Sequence, residues 1–231
     1  MRKNIRNKWI GIWLLTAFAV WTAAVRLVDV QPIAPDGSSV GWAMLNSAFH
    51  RFTGVHMMLY TITDWLSLVP AGVAAGFALL GLKQWIIRKS LWKVDQSILV
   101  LGGFYLVVMA VYIFFEKWIV NVRPVLIDGI AEASYPSSTT ILVICVMSTA
   151  MMHIHSRMQK CFLRNGALAV MAAFSFLMVI IRTVSGVHWL TDIIGGILFS
   201  GGVVFLYADI ARLPVQESRF HKRAKKIERF F

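Results

Sequence analysis

Six long apolar stretches, at about residues 9–28, 57–82, 97–115, 136–152, 166–184 and 189–208, leave this chain few ways to fold. A bilayer's hydrocarbon core is about 30 Å thick and takes about 20 residues of helix to cross. No water is present there to satisfy backbone groups, so a chain that crosses must do so as helices or as a closed barrel. Stretches this long and this poor in charge predict an all-α integral membrane bundle of six transmembrane helices, forming a single domain over residues 1–231. Hydrophobic residues make up 58% of the chain and charged ones 15%, which excludes a water-soluble protein of one or two domains.

The net charge of +12 would suit a nucleic-acid partner if it lay on one surface. The basic residues instead fall in short clusters between the apolar stretches, so membrane topology explains them and no nucleic-acid partner is expected. Four precede the first stretch, four follow the second (Lys83, Arg88, Lys89, Lys93), three follow the fourth (Arg157, Lys160, Arg164) and seven follow the sixth. That puts 18 of 23 on one side, against Arg26, Arg51, Lys117, Arg123 and Arg182 on the other. The positive-inside bias predicts that both termini are cytoplasmic at a plasma membrane, with the connections after spans one, three and five outside. The apolar stretch behind the basic N-terminal residues exceeds the ~7–15 residues of a signal peptide and reads as an uncleaved first span. The segment 212–231, with seven basic and two acidic residues, reads as a cytoplasmic anchor facing anionic membrane lipids. Residues 40–52 read as a short interfacial helix, and Gly72, Gly76, Gly195, Gly196, Gly201 and Gly202 as sites of close helix packing. Cys145 and Cys161 have no spacing typical of a disulfide, metal or redox site, and neither metal nor cofactor is expected.

Three polar segments meet at the outer ends of spans three to six: Glu116 to Pro124, Tyr135 to Thr140, and Arg182 to Asp192. Arginine suits anions there, because its planar fork can hold two phosphate oxygens and its charge offsets theirs. Arg123 and Arg182 are the candidates. Pro136, expected at the first turn of span four, with Ser137 and Ser138 after it, would aim backbone N–H groups and hydroxyls at an anion. His188 and Asp192 are four residues apart, which on a helix lets the carboxylate hold one imidazole nitrogen while the other attacks phosphorus. Phosphoryl transfer through a phosphohistidine is the chemistry these residue types share.

The three segments resemble the motifs of the type 2 phosphatidic acid phosphatase superfamily: Lys, six residues, Arg-Pro; then Pro-Ser-Gly-His; then Ser-Arg, five residues, His, three residues, Asp. The resemblance implies a metal-independent lipid phosphatase in which His188 is the nucleophile and Asp192 its partner. It makes Arg123, Arg182, Ser137 and the Ser138 amide the phosphate holders. Two departures from the pattern matter. Glu116 stands at the family's lysine position, with Lys117 one residue late, and Thr139 stands where the family's first histidine would protonate the leaving group. Lys117 and Thr139 remain candidate phosphate contacts, and His56 and Asp64 candidate substitute acids, Asp64 because a carboxylate in lipid is costly.

The expected substrate is a lipid phosphate, polyprenyl diphosphate first, with monophosphates and lipid-to-lipid phosphate transfer as alternatives. A non-catalytic lipid-phosphate binder or transporter is the reading that Thr139 favours. Oligomeric state is not legible.

Overall fold

A computed structural model describes residues 2–211 and 213. The protein is all-α: α1 (Arg2–Leu27), α2 (Ala43–Thr53), α3 (Met57–Leu66), α4 (Leu68–Arg88), α5 (Gln96–Lys117), α6 (Ser138–Arg157), α7 (Phe162–Val184) and α8 (Leu190–Ile210), with a single 3-10 turn at Leu91–Lys93. Among the described residues six spans are long and apolar enough to cross a membrane: Arg6–Leu27, Met57–Arg88, Gln96–Lys117, Ser138–Arg157, Phe162–Val184 and Leu190–Ile210. They match the six apolar stretches of the sequence. The basic segment at 212–231 lies outside the described residues, Leu213 excepted.

Two boundaries differ from expectation. The second span is two helices, α3 and α4, with Ser67 between them and Pro70 in the first turn of α4, where a missing N–H costs nothing. Span four begins at Ser138, with Ser137 as its N-cap, so Pro136 sits ahead of the cap and not in the first helical turn.

About half of the apolar window of α6 and of α8 is buried, 56% and 50%, against 17% or less for the other four spans. The two helices that follow the Pro-Ser-Ser segment and His188 are therefore the centre of the bundle, and the rest present mainly lipid-facing surface. The helix α1 runs along α8, while α6 packs on α7, α8 and α4, and α3 packs on α7. Close approach along α8 depends on its glycines: a Cβ on Gly202 would lie 2.7 Å from the Leu15 side chain, and one on Gly195 2.6 Å from the Tyr135 ring. Gly72 and Gly76 do not share this role, because a Cβ there meets nothing within 4 Å.

One end of the bundle is closed by the connections after α1, α5 and α7. Asp29 accepts the Met44 N–H at 2.7 Å at the start of α2, whose Ala43 and Asn46 face inward while Met44 and Phe52 face out. Thr22 of α1 and Tyr135 share a 2.7 Å hydrogen bond, and Trp21 donates to the Thr191 carbonyl. Gly186 has φ +70°, and a Cβ there would fall 1.9 Å from the Gly54 carbonyl oxygen, so the turn before α8 is locked against the turn before α3. At the opposite end Asp95 pairs with Arg88 and Arg157 and bonds to Gln84. Burial works against its ionisation, but the hydrogen bonds and the two positive charges outweigh it and hold the carboxyl below its ordinary value.

Candidate active site

The start of α8 is held by side chains from distant parts of the chain. Trp189 is its N-cap in extended backbone, and its indole N–H donates to the Val122 carbonyl at 2.7 Å. Asn46 of α2 accepts the Thr191 N–H at 3.3 Å and donates to the Thr191 hydroxyl at 3.0 Å. Asp192, in the first turn and fully buried, accepts the Trp189 N–H on Oδ2 and the Asn121 side-chain N–H on Oδ1, each at 3.0 Å. An acidic residue here both caps the helix and meets the positive end of its dipole.

His188 precedes the cap, so it stands just outside the helix instead of on a shared helix face with Asp192. Its Nδ1 lies 3.7 Å from Asp192 Oδ2, beyond ordinary hydrogen-bond length. Its Nε2 faces Arg123 Nη1 at 3.5 Å. Burial is the main cause that pushes the imidazole down to about 4; Arg182 and Arg123 add to it, and Asp192 opposes it without overcoming it. The ring is therefore neutral at pH 7 with a lone pair to use.

The two arginines reach the site from different elements. Arg123 lies in the connection after α5, where Val122 and Ala133 form an antiparallel bridge and the Arg123 N–H bonds to the Glu132 carbonyl. Its Nε is 3.0 Å from Glu132 Oε2. Arg182, in the last turn of α7, is 2% exposed; it donates to Thr63 Oγ1 at 3.2 Å and lies over the Tyr60 ring at 4.7 Å. Tyr60 is also 5.9 Å from the Arg123 guanidinium, so one ring of α3 stands beside both. Among the described residues Arg182 makes no salt bridge. Ser137 is buried, its Oγ accepting from the Thr140 hydroxyl at 3.0 Å and its N–H donating to the Asp192 carbonyl. A narrow cleft reaches His188 past Tyr112, Glu116, Ser134, Ser138 and Ile141.

His188, Asp192, Arg123, Arg182, Ser137 and Ser138 thus gather at one end of the bundle. Four other candidates do not line the cleft, though Asp64 lies within electrostatic reach of Arg182. Lys117 is the last residue of α5 and exposed; because α5 stays helical to that point, Lys117 is turned by ~100° from Glu116, which lines the cleft. Thr139 is buried in the first turn of α6 and does not line the cleft. The His56 ring bonds to the Thr53 carbonyl at 2.9 Å, and Asp64 is exposed on α3 beside Thr63; neither lines the cleft. Sequence reasoning missed Asn121 and Asn46, which position the α8 start, Tyr60 and Thr63, which position Arg182, and Glu116 as a cleft residue. Asn121 lay inside the quoted motif segment, and Glu116 at a named motif position, but no local pattern gave either a role.

In fold, the chain is similar to the crystal structure described as the first transmembrane PAP2-type phosphatidylglycerolphosphate phosphatase from Bacillus subtilis, with 20% identity over 96% of this chain and 100% of that one and a TM-score of 0.49. No family model matches the sequence, and no curated protein matches it.

Proposed function

We propose that the protein is a membrane lipid phosphatase working through a phosphohistidine, with polyprenyl diphosphate as its first substrate. The observation that carries this reading is the neutral, buried His188, its Nδ1 toward Asp192 and its Nε2 toward Arg123. In the proposed reaction a terminal phosphoryl group sits between Arg123, Arg182 and the Ser137–Ser138 turn. The Nε2 lone pair attacks phosphorus, the bond to the lipid oxygen breaks, and that oxygen leaves with its electron pair. The Nδ1 proton stays on the ring, where Asp192 stabilises the positive charge that develops. Water then displaces His188 and releases phosphate. Arg123 and Arg182 offset charge on the equatorial oxygens throughout.

Protonating His188 removes the attacking lone pair, so activity is lost as pH falls through its lowered value. After correction for ionisation of the substrate's own phosphate, kcat/KM is expected to hold down to about pH 4. A fall centred instead near the ordinary histidine value of about 6.5 would mean that the ring is solvated and the assignment wrong.

The reading also places the site on the outer face of a plasma membrane, from the 18 to 5 division of basic residues. In a background lacking Cys161, Ser39→Cys and Ala131→Cys should react with an impermeant thiol reagent in intact cells, and Leu91→Cys should not. The reverse pattern would turn the site toward the cytoplasm.

A further inference from the structure

The phosphohistidine route leaves one proton unassigned. When water attacks the phosphorylated histidine, an O–H proton must go somewhere, and Thr139, buried away from the cleft, cannot take it. In-line displacement sets where the acceptor must be: the leaving group departs from the side of phosphorus opposite His188, and water enters by the path it vacates. The cleft that reaches His188 opens the site to water, and α5 contributes Glu116 to its wall, with Tyr112 one turn earlier on the same face.

The other nearby carboxylates are committed. Glu132 pairs with Arg123, and Asp192 is held by Asn121 and the Trp189 N–H. Glu116 forms no salt bridge among the described residues, and its carboxyl meets only the Tyr112 hydroxyl on the same cleft wall. Resting on the proposed phosphohistidine reading, we infer that Glu116 is the general base of the second half-reaction. It takes a proton from the attacking water as the new O–P bond forms and the P–Nε2 bond breaks, the electron pair returning to His188. The carboxyl then gives its proton to solvent through the open cleft.

Farnesyl diphosphate carrying a radiolabel in its terminal phosphate tests this by rapid quench on purified full-length protein. Glu116→Gln is expected to release about one equivalent of farnesyl monophosphate per site in a burst. Acid-labile label should then accumulate on the protein, and steady-state phosphate release should slow by about 10²-fold or more. Glu116→Asp should restore part of that release without a change in the burst. A burst that slows together with release, or unchanged release, would overturn the assignment of Glu116 while leaving labelled wild-type protein intact as evidence for the histidine route. Absence of label from both proteins, with turnover surviving in His188→Ala, would instead remove the phosphohistidine reading itself.

Discussion

His188→Ala is expected to lower turnover by about 10⁴-fold or more, because it removes the nitrogen that the proposed reaction uses to attack phosphorus. Asp192→Ala should lose activity as well, leaving a residue that reflects an unoriented imidazole. Its second effect is on stability. Asp192 is fully buried and accepts from both Asn121 and the Trp189 backbone, so its removal strands two donors at about 1–3 kcal/mol each and weakens the α8 cap. Turnover together with thermal unfolding in detergent separates the two variants: His188→Ala loses rate with a small change in melting, and Asp192→Ala loses both. Wild-type turnover in His188→Ala would refute the mechanism.

Substrate preference is the second large effect. Protonation of a departing oxygen matters most when it would otherwise leave as a strongly basic alkoxide, an alcohol being about as weak an acid as water. A phosphate monoester leaving from a diphosphate has a second ionisation near 6 and needs little help. On the proposed reading, with Thr139 standing where the resembled motif has its histidine, farnesyl diphosphate is expected to be cleaved about 10²-fold or more faster than farnesyl monophosphate. Thr139→His should raise the monophosphate rate selectively, provided that the imidazole turns toward the cleft wall formed by its neighbour Ser138. Steady-state rates on the two lipids measure both. Equal wild-type rates, abolished by changing His56 or Asp64, would reveal a substitute acid and defeat the leaving-group argument.

The spans were legible because the bilayer imposes one length and one backbone solution on any apolar stretch, and the residues at the site were legible because Arg, His and Asp are costly near lipid without a task. What holds them was not. Asn121 meets Asp192 across 71 positions and Asn46 meets Thr191 across 145, contacts set by how the end connections fold over the bundle and not by local spacing. The break at Ser67 was hidden for a related reason: an apolar stretch reads as continuous whether or not its helix restarts. The register at Glu116 and Lys117 turned on whether α5 stays helical to its end, which a charge pair alone does not decide.

The lock between Gly186 and Gly54 limits how this end of the protein can vary over evolutionary time. The carbonyl oxygen of Gly54 occupies the space that a side chain at position 186 would need, and both glycines have positive φ, so drift at either position is closed off sterically before any question of activity arises. The outward residues of α2, Met44 and Phe52 among them, touch no such obstacle and can exchange for other apolar side chains at small cost. Diversification is thus channelled into the roof over the site, while the segment that carries the histidine keeps its path.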